Sequence, residues 1–245
     1  MQIQCDCPMT LPDVRLNDRV LHLRVADEPV RLTSNNSPLS CSLPAGWQGL
    51  IVMDGAAELS GGDVQVRAMA EATLVKLQVF IDLGDTLITK VSRPFPWAVL
   101  AVADETARCD KALERWYIEQ ALAGSSAYQA FARQLRNNES YGLVRFLVEQ
   151  GTHSEKLSAL AQRYGVSVSH FRRLCQHALG SAAKPALRGW RAAQALLNMS
   201  LEDGSLTDVA LEFGYASSSH FSKEIRELVG FSPSSLADIT DLSSK

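Results

Sequence analysis

The residues best placed to do chemistry fall in two short stretches fifty positions apart. In the first, Ser169, Arg172 and Arg173 share the early, outward side of a helical segment, with His170 and Gln176 beside them. An arginine there can donate two hydrogen bonds to a guanine edge. In the second, Ser218, Ser219, Ser222 and Lys223 take the matching side. Serines discriminate less between bases, so weaker specificity is expected of that stretch. His170 and His220 each precede a phenylalanine and read as phosphate or packing residues. Catalytic patterns are missing: there is no nucleophile elbow, phosphate loop or cluster of metal ligands, so no enzyme, cofactor or metal is expected. Asp82-Leu-Gly-Asp85 reads as a turn rather than a carboxylate pair. Cys5-x-Cys7 lacks a second pair or a nearby histidine, and the five scattered cysteines read as free thiols.

What must position the two stretches is an internal repeat. Leu157, Ala161 and Gly165 match Leu206, Ala210 and Gly214 at an offset of 49; His170, Phe171 and Gly180 match His220, Phe221 and Gly230 at an offset of 50. Each copy has the logic of a helix-turn-helix. A small alanine lets two helices cross closely, and a glycine ends the first helix where a left-handed backbone costs little. Ser167 or Ser217 caps the next helix. Phe171 with Leu174, or Phe221 with Ile225, supplies the buried stripe. The opposite face of each second helix is then free to enter a major groove.

Between the copies runs a basic segment, Lys184 to Asn198, with Pro185 suited to a first helical turn. Leu187, Trp190, Ala193 and Leu197 are expected on one face. A rod of this length, roughly 22 Å, would hold the two reading helices about one DNA turn apart, roughly 34 Å. Lys184, Arg188 and Arg191 are expected to serve phosphates or the domain surface.

The net charge of −3 conceals a strong asymmetry. Residues 151–200 carry seven basic side chains against Glu155 alone; residues 1–150 are net −4 and residues 201–245 net −5. One fifty-residue block is therefore the electrostatic footprint for a polyanion. No run of eighteen apolar residues suggests a membrane span, and the first residues lack the pattern of a signal peptide, so a cytoplasmic location is expected.

Upstream, short alternating segments such as Val14–Leu16, Val20–Val25, Gly49–Met53, Val64–Arg67 and Leu74–Phe80 read as strands, punctuated by turns at Asn35–Pro38, Pro44–Gly46 and Gly61–Asp63. The expected class is α+β. A β-rich regulatory domain at 1–95, cupin-like or a partial sandwich, precedes a helical segment at 96–137 and an all-α domain at 138–245 with units at 157–180 and 206–230. Two helices are expected in the middle segment, near 104–123 and 126–136. Their apolar face either packs internally or meets a second copy of the chain or another partner.

Residues 140–240 resemble the AraC/XylS family of transcription regulators, including the one-residue difference between the two turns. The runs Tyr164–Gly180, Leu187–Asn198 and Gly214–Pro233, with the closing residues to Lys245, are most similar to invasion-type activators of type III secretion. Two departures stand out. Ile225 occupies a position where phenylalanine is usual, and Pro233 is followed by Ser-Ser-Leu-Ala instead of an aromatic-arginine pair. The resemblance implies binding to double-stranded DNA and activation of secretion and effector genes through RNA polymerase. It also implies a tetratricopeptide-type secretion chaperone as co-activator. The alternative is a regulator of a metabolic operon, with a small molecule bound in the β domain.

Overall fold

Alternating apolar residues between residues 13 and 68, and again at 97–101, build two antiparallel sheets. The computed structural model describes residues 13–16, 19–34, 37–84, 96–150, 156–201, 205–233 and 235. The chain divides into two compact units, residues 1–142 and 143–245.

In the first unit, β1 (Asp13–Leu16), β6 (Ala57–Gly61), β3 (Val30–Ser34) and β4 (Ser37–Leu43) form one sheet in that order. The second sheet runs β7 (Val64–Ala68), β2 (Val20–Val25), β5 (Gln48–Met53) and β8 (Trp97–Ala101). Leu21, Leu23 and Val25 of β2 and Ile51 and Met53 of β5 pack with Leu32, Leu43 and Leu59 of the other sheet in one core. This is the sandwich solution, in which two apolar faces cover each other. Strand β5 is buried along almost its whole length, not on alternate residues. Its other face, with Leu50 and Val52, is covered too, because helix α4 (Ser126–Arg136) lies against β5 and β8.

The segment Leu74–Phe80 is not a strand. It lies in helix α1 (Glu71–Gly84), which buries Ala72, Leu74, Val75, Gln78, Val79 and Asp82. Over seven residues, β-branched alternation and helical spacing pick out overlapping positions, and the longer 72–75–79 and 74–78–82 rows decide for the helix. The converse holds at Trp97–Ala101, expected within a helical region and folded as β8, where it pairs with β5 from Trp97↔Met53 to Ala101↔Gly49. A short apolar run buried on both faces carries no period of its own. The helix expected over 104–123 is interrupted: α2 (Asp104–Arg108) ends and α3 (Asp110–Ala123) begins at Cys109, whose backbone is extended. Strands β3, β4 and β6 add to those read from the sequence. Of the Asn35–Pro38 turn, Asn35 and Asn36 lie outside the described residues, as do Cys5, Cys7, Asp85 and all of Arg93–Pro96 but Pro96.

The helices of this unit meet around a buried polar cluster. Asp82, expected in a turn, ends up inside α1's last turn and accepts two hydrogen bonds from Arg136 (2.7 and 2.8 Å) and one from the Tyr141 hydroxyl (2.7 Å). Gln78 Nε2 also donates to Asp82, while Gln78 Oε1 accepts from the hydroxyls of Tyr117 and Tyr128. Burial alone would raise the Asp82 carboxyl; the bonds and charge of Arg136, with Tyr141 and Gln78, hold it below its ordinary value. A fully satisfied network of this kind fixes how the helices sit on one another.

The second unit holds the remaining helices: α6 (Leu157–Tyr164), α7 (Val168–Leu179), α8 (Ala183–Leu201), α9 (Leu206–Glu212) and α10 (Ser218–Val229). Before them, α5 (Glu139–Gln150) contributes Leu143, Val144, Leu147 and Val148 as buried residues. The architecture is thus α+β, a two-sheet region with helices followed by an all-helical one. No helix among the described residues is long and apolar enough to cross a membrane.

Candidate nucleic-acid interface

Each copy of the repeat folds as a helix, a glycine-bearing turn and a second helix. Gly165 (φ 82°) and Gly214 (φ 73°) both take the left-handed backbone that a side chain disfavours. The hydroxyls of Ser167 and Ser217 accept from the backbone N–H of His170 and His220, at 3.3 and 3.1 Å. Those caps satisfy donors left free at each helix start and fix where α7 and α10 begin. Ala161 and Ala210 are fully buried at the crossings. Phe171 is buried against the rings of Phe146 and Tyr164, with centroids 6.4 and 5.6 Å away. Phe221 is buried against Tyr215 at 4.9 Å, in a core shared with Ala192, Ala195 and Ile225.

With Phe171 inside, helical geometry turns Ser169, His170, Arg172, Arg173 and Gln176 to solvent, and all five are exposed. Arg173 Nη2 lies 3.4 Å from His170 Nδ1, so the histidine braces the arginine on the outer face. Cys175 points the other way; burial pushes its thiol up to about 11. On α10, Ser218, Ser219, Ser222 and Lys223 line one open groove together with Arg226 and Glu227. Arg226 is a further polar residue of this face. It stands fifty residues after Gln176, so extending the repeat by one more turn would have found it.

Helix α8 differs from expectation in which face it buries. Ala192 and Ala195 are inside, with Leu196 and Met199 packed against the same core. Ala193 is exposed, and Leu197 is 62% exposed. Small side chains on the inner row allow α9 and α10 to approach; a row of bulky residues would hold them off. The 19-residue helix is about 28 Å long.

The three basic residues of α8 separate. Lys184 is exposed in the first turn. Arg188 and Arg191 instead turn to α10, where they flank Glu224, a carboxylate only 5% exposed. Arg191 Nη2 donates to Glu224 Oε1 at 3.0 Å and its guanidinium sits 4.5 Å over the Tyr215 ring. Arg188 Nε lies 3.0 Å from Glu224 Oε2, and its Nη2 donates to Glu227 at 2.6 Å. The Tyr215 hydroxyl donates to Glu224 as well, at 3.2 Å. Burial would raise the Glu224 carboxyl, but the two arginines outweigh it and hold it below its ordinary 4.5.

Two helix-turn-helix units joined by a helix, the first with a cationic outer face, define a DNA-binding protein of the double-unit type. A helix-turn-helix domain family matches residues 160–238. The chain is 40% identical over 189 residues to the invasion protein InvF of Salmonella typhimurium, a match covering 75% of this chain and 86% of that protein. It is 41% identical over 113 residues to the transcriptional regulator MxiE of Shigella flexneri, covering 45% of this chain and 54% of the relative. Among solved structures, ToxT from Vibrio cholerae aligns over 91% of this chain and 96% of its own, with 12% identity and a TM-score of 0.37. The chain belongs to the AraC-type family of transcription regulators, alongside the invasion-type members. Its macromolecular partner is DNA.

The Glu224 cluster gives a stability test. Glu224→Ala strands Arg191, whose side chain is 14% exposed, and is expected to cost about 3–5 kcal/mol in chemical denaturation followed on the second unit. Because the folded carboxyl is depressed, its ionic contribution is complete above pH 4.5 and fades as acid protonates it. The Glu224→Gln variant should lack that acid-dependent component.

Proposed function

We propose that the chain activates transcription of type III secretion and effector genes in the cytoplasm, binding promoter DNA and recruiting RNA polymerase, with no catalysis of its own. The observation that carries this reading is the exposed Ser169–Arg172–Arg173–Gln176 face, set by the buried Phe171 and lying within the chain's one strongly basic block. Arg172 and Arg173 are the specific readers of the first unit, and Ser169, His170, Gln176 and Lys184 supply the remaining polar contacts. The second unit reads the next major-groove segment through Ser218, Ser219, Ser222, Lys223 and Arg226, with His220 at the edge. Charge makes the first unit the anchor.

At fixed salt, Arg173→Ala should weaken binding to a promoter fragment by about 1–3 kcal/mol, and Lys223→Ala by less. Titration of labelled promoter by fluorescence anisotropy checks this, and a larger loss from Lys223→Ala would sink the anchoring idea.

The region of residues 1–142 carries the co-activator site, for a chaperone of tetratricopeptide type. Support comes from its α3 helix, where Ile118 and Leu122 are exposed apolar residues one turn apart. One open cleft there, of about 650 Å³, is lined by groups such as Arg24, Asp27, Gln48 and Asp63, charged or polar without an aromatic platform, which does not favour a sugar-type ligand in it. Affinity capture of the full chain from its host should bring down such a chaperone. Recovery of a small metabolite with no protein would point instead to the metabolic regulator.

A further inference from the structure

Of the aligned positions at which the two helix-turn-helix units differ, two bear on Arg188. Fifty residues before Glu224 and Glu227 stand Leu174 and His177. The first unit thus has an apolar residue and an exposed histidine where the second has two carboxylates. Both carboxylates hold Arg188: Glu224 from inside at 3.0 Å, Glu227 from outside at 2.6 Å. Glu227 also lines the groove formed by Ser218, Ser219, Ser222, Lys223 and Arg226. The Arg188 guanidinium, 40% exposed, is therefore at the rim of the surface assigned to DNA.

We infer that Glu227 is a carboxylate latch on Arg188, which withholds that arginine from the DNA backbone and mutes the second unit's grip. The inference rests on the DNA-binding reading above. The chemistry is a competition between anions for one guanidinium. A planar fork donates equally well to a carboxylate or to a phosphate. While Glu227 accepts from Arg188, the pair presents no net positive charge to a duplex and releases no counterion on binding. Glu224 keeps the Arg188 Nε and stays buried, so it positions the side chain; Glu227, on the exposed side, is the partner a phosphate can replace. Arg191 is held between Glu224 and the Tyr215 ring and takes no part in the exchange.

The test is the salt dependence of binding to one promoter fragment, measured with the full chain as Glu227→Gln, Arg188→Gln and the double variant. In place of Glu227, glutamine keeps the shape and removes the charge; in place of Arg188, it removes the guanidinium. Glu227→Gln should bind several-fold more tightly near 0.1 M salt, with a plot of log K against log salt steeper by about 0.9, the increment for one further phosphate neutralised. In the Arg188→Gln background the same change should leave the slope unaltered. An unchanged slope for Glu227→Gln, or an equal steepening without Arg188, overturns the latch, the second result meaning only that a negative charge had been removed near DNA. A wild-type chain that does not bind the fragment even at low salt overturns the DNA-binding reading itself, which separates the two failures.

Discussion

Everything residues 143–245 do depends on where two phenylalanines are buried. A helix has one rotation about its axis to choose, and burying Phe171 or Phe221 completely makes that choice. The serine cap one turn earlier fixes the starting residue. Together they determine which side chains face outward and at what height, before any contact with DNA. A large ring in a core costs about 3–5 kcal/mol to remove, far more than any exposed contact on the outer face contributes. The outer surface of each second helix is thus a by-product of packing, and its composition can differ between the two copies without disturbing the fold.

That freedom has been used in opposite directions. On α7 the outer face is cationic, with Arg172 and Arg173. On α10 it is mostly hydroxyl, and the neighbouring arginines of α8 are drawn into an ionic cluster with Glu224 and Glu227. Arg188 and Arg191, counted from sequence as part of a basic footprint, are largely neutralised where they stand. The effective positive surface is smaller and more localised on the first unit than net charge by segment suggests.

The helix-turn-helix units are legible in the sequence because their signals are local and repeated: a small alanine, a turn glycine, a capping serine and a buried ring, at spacings that recur within one residue. Sequence does not show which carboxylate meets which arginine, since Glu224 lies 33 residues from Arg191 and nothing local links them. The inner row of α8 escapes sequence reading for a related reason. Large apolar side chains are the usual mark of burial, whereas close helix approach selects Ala192 and Ala195 over Leu197. Within residues 1–142, Leu74–Phe80 and Trp97–Ala101 exchange their expected secondary structures because short apolar runs fit either period. Asp82, with a glycine and a second aspartate nearby, has the local pattern of a turn and is the acceptor at the centre of a helix-packing network.

Guanine-methylation interference on a promoter fragment bound by the full chain tests most directly whether both units read DNA. Two clusters of interfering guanines should appear on one face of the duplex, about one helical turn apart. The cluster under α7 should be the stronger. A single cluster, or two on opposite faces, would contradict a pair of reading helices held in tandem by α8.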